Sequence, residues 1–397
     1  MRPALEVADI FRRHGDAFRA VQGDRLSHAQ RRVMTAIESC RTAVLGGHVE
    51  RCEDCGETRI AYNSCRNRHC PKCQGLSRLQ WLADRRDDLL PVAYFHIVFT
   101  VPEAIAAIAL QNKAVVYDII FKAAADTLRL IAADPQHLGA ETGMIAILHT
   151  WGQTLTHHPH IHCLVPGGGL ASDGRWIGCR PGFFLPVRIL SRLYRRLFLE
   201  RLQAAFNTGD LSFFGSLASL VEPHAFAEHL KLVRRINWVV FAKRPFAGPQ
   251  TVLDYLGRYT HRVAIANSRL LACEDGQVCF RWKDYRAGNK SKVMTLNADE
   301  FIRRFLLHVL PTGFRRVRHF GFLANACRAA KLLAIRAALQ APEPAPIVET
   351  SDYRERYAIL TGHRIDLCPI CGGRMVEIGL HPRSSSPHRA APRCDTS

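Results

Sequence analysis

Apolar and polar positions follow two rhythms along the chain, one helical and one alternating. Residues 1 to about 45 carry the 3.6-residue helical period, and "SHAQRRVMTAIESCRTA" begins at Ser27, a residue type suited to capping a helix. A Cys-rich, loop-like block follows from His48 to Gln74, and then a charged helical run, "LSRLQWLADRRDDLL", which Pro91 closes. From Val92 the period shortens. "VAYFHIVFTV" reads as a strand, Pro102 to about Ala133 as helix, and "MIAILHTW" and "HIHCLVP" as strands. "LSRLYRRLFLERLQAAF" is helical, "INWVVFA" strand-like, and "GPQTVLDYLGRYTHR" helical again. Three short strands are predicted next, in "AIANSRLLAC", "QVCFRWKDY" and "SKVMTLN", and after them an amphipathic helix, "ADEFIRRFLLHVL", and a basic stretch, "GFRRVRHFGF".

This order lacks the even spacing and glycine fingerprint of a doubly wound nucleotide fold, and it predicts an α+β protein with a mostly antiparallel sheet. The expected units are a helical and zinc-binding module over 1–90, a main domain over 91–335, a linker over 336–350 and a tail over 351–397. The Pro-rich "QAPEPAPIVET", Gln340 to Thr350, marks the linker, and "CPICGG" marks the tail.

Composition narrows the class. Over 397 residues, 48% hydrophobic and 22% charged content describe a globular chain that is not disordered. The apolar stretch Leu89 to Leu110 contains His96, Glu103 and two prolines, so a strand followed by a helix fits it better than a membrane span. The first twenty residues are charged throughout and have no apolar signal core, which predicts a cytoplasmic protein with no membrane partner. In that reducing compartment the 14 cysteines are expected as metal ligands and buried thiols rather than disulfides. Charge changes the picture most. With 54 Lys and Arg against 35 Asp and Glu, the net charge of +19 suits a polyanionic partner, nucleic acid first.

In "RCEDCGETRIAYNSCRNRHCPKCQG" two CxxC knuckles, Cys52 with Cys55 and Cys70 with Cys73, are spaced to share one tetrahedral zinc ion, with Cys65 and His69 in reserve. Arg51, Arg59, Arg66, Arg68, Lys72 and Arg78 surround them, so the module could meet phosphate as well as scaffold the fold. The tail pair Cys368 and Cys371 forms half of another such site, which His381, His388 or Cys394 could complete.

Between them lies "HPHIH". On a strand, residues two apart share a face, so His160 and His162 would stand side by side while Ile161 enters the core. By composition alone on the order of one HxH is expected, so packed or surface histidines compete with a metal site. Further on, "VLDYLGRYTHR" sets Tyr255 and Tyr259 four apart, on one helix face, among Arg258, His261 and Arg262.

Taken together, "HPHIH", "YLGRYTHRVAIANSRL" and "YNSCRNRHCPKCQ" resemble the insertion sequence ninety-one family of transposases, of the HUH (His-hydrophobe-His) class of single-strand nucleases. The likeness runs in order from the cysteine block to about Phe322. It implies an HUH-type antiparallel sheet flanked by helices and preceded by a small zinc-ribbon-like module. It also implies that His160 and His162 hold a catalytic Mg²⁺ or Mn²⁺ and that Tyr255 and Tyr259 are paired nucleophiles. For the third ligand Gln153, His149 and His158 compete, and Gln153 is preferred because it can lie on the strand entering the site. The expected activity is nicking and rejoining of single-stranded DNA through a 5′-phosphotyrosine, driving rolling-circle-like transposition with structural Zn²⁺ and no nucleotide cofactor. Partners would be single-stranded and duplex DNA at element ends.

Arg258, Arg262, Lys283 and Arg286, with Lys290 and Lys292, are the expected strand-guiding cations, and Trp282 and Tyr285 the stacking platforms. A rolling-circle replication initiator or relaxase would share this chemistry. A zinc-dependent DNA-binding protein without catalysis is the alternative from another class. No HExxH or GxSxG motif suggests hydrolysis of another kind.

Overall fold

The computed structural model describes residues 5–180, 185–246, 251–252, 257, 263–285, 287–342 and 352–384. The N-terminal half carries α1 (Val7–Gln22), α2 (His28–Ser39), β1 (Gly47–Cys52), β2 (Thr58–Tyr62), α3 (Gln74–Arg86), β3 (Tyr94–Thr100), α4 (Glu103–Gln111) and α5 (Lys113–Ala133). β4 (Gly143–Trp151), β5 (His157–Pro166), β6 (Gly168–Leu170), β7 (Trp176–Gly178), α6 (Val187–Asn207), α7 (Pro223–Arg235) and β8 (Val240–Phe246) follow. The remainder is β9 (Leu270–Glu274), β10 (Gln277–Asp284), β11 (Lys290–Asn297), α8 (Ala298–Leu307), β12 (Val317–Gly321), α9 (Arg328–Ala338), α10 (Tyr353–Thr361) and β13 (Met375–His381).

Mixed helices and antiparallel sheets make this an α+β protein. The central sheet runs β12-β4-β5-β3-β8, every neighbouring pair antiparallel. β3 is a nearly continuous apolar run, and β5 becomes one from Ile161 apart from His162, because both of their faces are covered there. One face presents Phe95, Ile97, Phe99, Leu148, Ile161, Cys163 and Val165 to α4, α5 and α6, whose Tyr117, Phe121, Tyr194 and Phe198 are fully buried against it. The opposite face carries Tyr94, Ile145, Ile147 and Leu164, which cluster with Val252, Leu332 and Ile335.

A second core does not follow chain order. α1 and α2 pack against the hairpin sheet β11-β10-β9 and against α8, with Phe11, Phe280 and Phe301 at zero exposure. α2 starts at Ser27 as its sequence predicts: Gln30 N–H donates to Ser27 Oγ at 3.2 Å, and the Gln30 side chain accepts from Ser27 N–H at 2.9 Å. This capping box stabilises the first turn by roughly 1 kcal/mol.

Three segments differ from the sequence reading. The basic stretch, given no element by its sequence, contains a strand: Val317–Gly321 is β12, an edge strand of the central sheet, with Arg318 stacked over Phe121 at 4.3 Å. The block from His48 contains the β1–β2 hairpin, and the tail contributes β13, which pairs with β1 to complete a separate sheet, β13-β1-β2.

Candidate functional site

Strand parity builds the centre. His160 and His162 share a face of β5, and β4 pairs antiparallel so that His149 stands directly opposite His160. One ring nitrogen from each of His149, His160 and His162 lies within 4.8 Å of the others. On the other side β3 opposes His96 to Leu164, which puts His96 on the same face, and its Nε2 is hydrogen-bonded to His162 Nδ1 at 2.9 Å. His160 Nδ1–H donates to the His158 carbonyl at 2.7 Å, leaving Nε2 with its lone pair free of that bond. His149 stacks on Trp151 at 4.7 Å.

Burial keeps His160 and His96 neutral: it lowers the pKa of His160 to about 4 and that of His96 to about 3. Neutral, oriented imidazoles converging on one point are metal-ligand chemistry.

Gln153 is not part of this centre, which corrects the expected third ligand. β4 ends at Trp151, and a turn through Leu155, at φ +62°, carries Gln153 out of the strand before it can continue the face of His149. Its side chain instead donates to Tyr285 Oη at 3.0 Å and accepts from Lys283 N–H at 3.4 Å, tying the β4–β5 turn to the tip of β10. His149 occupies the geometric position because it lies four residues earlier, on the strand itself.

The histidine face continues into the cluster that buries Val252, three positions before Tyr255. Gly257, which the sequence sets between Tyr255 and Tyr259, is buried against α3; a Cβ there would come 2.9 Å from Leu82 Cδ1, so a larger residue would have to push that side chain aside. Tyr255, Tyr259, Arg258, Arg262 and Arg286 themselves lie outside the described residues. Lys283 is exposed on β10, Lys292 sits 5.6 Å over the Trp282 ring, and the Tyr285 ring is 63% exposed.

The cysteines separate into two clusters, which corrects the single four-ligand site read from their spacing. Cys70 and Cys73, at the start of α3, face Cys40, which follows α2, and Cys65, with Sγ···Sγ distances of 3.5 Å for Cys40–Cys73 and 3.6 Å for Cys65–Cys73. Cys52 and Cys55 sit in the β1–β2 turn and meet Cys368 and Cys371 instead. The knuckles part because the β1–β2 hairpin directs its turn toward the β13 side of its sheet, whereas Cys70 is buried in the core of α1 and α2. His69 is not with them: its Nε2 accepts from Leu310 N–H at 3.5 Å. His381 lies in β13 with its ring against Tyr62, and His388 and Cys394 lie outside the described residues.

A further histidine, His308, locks the turn under the centre. Its Nε2 is paired with Leu155 O at 3.1 Å and its Nδ1 with Thr150 Oγ1 at 3.1 Å, so both ring nitrogens are hydrogen-bonded. Burial lowers its pKa to about 3. The unfolded ring, near pH 6.5, protonates first, so its stabilisation is complete above that value and is lost as pH falls toward 3. We expect urea midpoints to fall between pH 7 and 5, with His308 alone contributing up to about 2 kcal/mol at pH 5. His308→Gln should flatten that slope; an unchanged slope would show that the ring is not held neutral.

No described helix is long and apolar enough to cross a membrane.

Residues 143–331 match a family model described as "Putative transposase", and residues 10–101 match "Transposase zinc-binding domain". The chain is 61% identical over 401 residues to "Putative transposase y4qJ" of Sinorhizobium fredii (strain NBRC 101917 / NGR234), covering all of both chains. It is 27% identical to the transposase for insertion sequence element IS801 of Pseudomonas savastanoi pv. phaseolicola, over 86% of this chain and 82% of that one. Among solved structures, the conjugative relaxase TrwC in complex with oriT DNA aligns in its metal-free form at 14% identity and a TM-score of 0.23, over 41% of this chain and 70% of that one. Its metal-bound form aligns at 13% and 0.24, over 43% and 74%.

Proposed function

The chain belongs to the insertion sequence ninety-one family of transposases, and we propose that it nicks and rejoins single-stranded DNA through a 5′-phosphotyrosine formed at the His149–His160–His162 centre. The observation that carries this reading is the convergence of three imidazoles on the sheet face that also buries Val252, at the head of the tyrosine-bearing segment.

The donor set fits a divalent ion: three neutral nitrogens, two of them with their second ring nitrogen hydrogen-bonded. An all-imidazole set suits a first-row transition ion such as Mn²⁺ better than Mg²⁺, which prefers oxygen. When bound, the ion would supply Lewis acidity toward the scissile phosphate. His149, His160 and His162 would hold it, and His96 would fix the ring of His162. Tyr255 or Tyr259 attacks phosphorus; the tyrosyl O–P bond forms as the P–O3′ bond breaks, and the phenolic proton ends on the departing 3′ oxygen. One phosphoester replaces another, so a 3′-hydroxyl of the same or a second strand can reverse the step without ATP. Two tyrosines allow two ends to be held in turn. Lys283, with Arg258, Arg262 and Arg286, would guide the strand, and Trp282 and Tyr285 offer stacking faces. Zinc in the cluster Cys40, Cys65, Cys70 and Cys73, inside the matched zinc-binding region, would hold the N-terminal helices together.

Labelled single-stranded DNA from the ends flanking the gene, incubated with Mn²⁺ and run on a denaturing gel, tests the reading. A protein–DNA adduct that survives Tyr255→Phe or Tyr259→Phe singly and disappears in the double variant is expected. Binding without an adduct in the parent chain would instead favour the non-catalytic DNA binder.

A further inference from the structure

We propose that Cys52, Cys55, Cys368 and Cys371 bind a second structural zinc ion, which clasps the C-terminal segment onto the N-terminal module. Cys368 and Cys371 lie beyond both matched regions, 10–101 and 143–331. They nevertheless meet Cys52 and Cys55 across more than 300 positions of chain, with Sγ···Sγ distances of 3.5 Å for Cys52–Cys371 and 3.7 Å for Cys55–Cys368. Zinc–sulfur bonds of about 2.3 Å in a tetrahedron set sulfurs about 3.8 Å apart. A disulfide would need about 2.05 Å, so the four sulfurs are spaced for one ion and not for two bridges.

The backbone around them is built for the same purpose twice. "CEDCG" and "CPICG" fold into matching knuckles: the first cysteine donates its N–H five residues ahead, Cys52 to Glu57 O at 2.8 Å and Cys368 to Gly373 O at 2.7 Å. The closing glycine returns its N–H to the first cysteine, Gly56 to Cys52 O at 3.2 Å and Gly372 to Cys368 O at 2.9 Å. These glycines adopt φ +74° and +77°, a conformation that side chains disfavour. Gly373 N–H also points at Cys371 Sγ, 3.4 Å away, the kind of donor that supports a thiolate ligand.

The strands bring the knuckles into register. β13 pairs with β1 from Gly47↔His381 to Cys52↔Met375, and Met375 is fully buried beside Cys52 and Cys368. The buried Glu50 of β1 accepts from Arg59 at 2.5 Å and from Arg354 of α10 at 3.0 Å. The clasp therefore reaches further than its own sheet. α10 lies on α3, where Tyr353, Arg356 and Tyr357 face Gln80 and Trp81 across a shallow cleft, and Leu82 of the same helix abuts Gly257. Zinc at this site thus braces the helix that Gly257 abuts.

The test counts thiolate-bound zinc in the purified full-length chain, released by an organic mercurial that displaces zinc from sulfur and not from imidazole. We expect two ions per chain in the parent and one in Cys368→Ser/Cys371→Ser, with the far-UV circular dichroism largely retained and residues 352–384 becoming the first protease target. Two ions in the double variant, or a single parental ion that the double variant keeps, would overturn the proposal, whereas a single parental ion lost in the double variant would count against zinc at the Cys40 cluster instead. If the variant does not fold, two ions in the parent support the proposal and none overturns it.

Discussion

His149→Ala is expected to lower metal-dependent nicking of single-stranded DNA by at least about 100-fold, because it removes one of the three imidazoles that converge on the centre among the described residues. Gln153→Ala should stay within a few-fold of the parent, since that side chain holds Tyr285 and the Lys283 amide rather than the centre. His96→Ala should fall between them, at about 10-fold or more, through weaker metal affinity as the His162 ring loses its partner. Raising Mn²⁺ should recover activity in His96→Ala and not in His149→Ala. Equal losses at His149 and Gln153 would contradict the ligand set, and duplex binding measured in parallel should change little in any of the three, because affinity rests on basic surface.

Cys70→Ala is expected to unfold the body formed by α1, α2, α8 and β9–β11. Cys70 is 1% exposed and sits inside that core beside Cys40, so its loss removes both a ligand and packing. A structural zinc site contributes about 10–16 kcal/mol in small zinc-binding peptides, as much as the roughly 5–15 kcal/mol by which a whole domain is stable. Limited proteolysis should cut within residues 5–40 in the variant and spare them in the parent. Because α1 and α2 share their core with β10, the loss should carry into DNA binding through Lys283 and Trp282 as well. An unchanged thermal midpoint would show that the four cysteines form no structural site.

The central strands were legible because burial on both faces enriches them in apolar residues: β3 falls within its predicted segment, β4 and β5 begin one and three residues ahead of theirs, and β8 overlaps its segment only at Val240 to Ala242. β12 was not, since its Arg318 and His319 read as surface until Phe121 and the edge of β4 are beside them. β1 and β2 were hidden by the cysteines, whose spacing dominates any local reading. His149 carried part of a signal, a histidine near the end of the strand "MIAILHTW", but only the observed register sets it opposite His160. His96 carried none, because a single histidine in an apolar strand has the pattern of a packed core residue.

The sequence by itself determined the family of this protein and the residue types it has to work with: the paired histidines two apart on a strand, the tyrosines four apart, the CxxC knuckles and the positive charge. These are local properties, set by residue type and spacing over a few positions. Only the tertiary structure decided which groups share a centre. His149 rather than Gln153 joins His160 and His162 because β4 ends at Trp151, and Cys52 finds Cys371 rather than Cys73 because β13 returns to pair with β1. Such partnerships depend on strand register and chain return across hundreds of residues, and no local spacing records them.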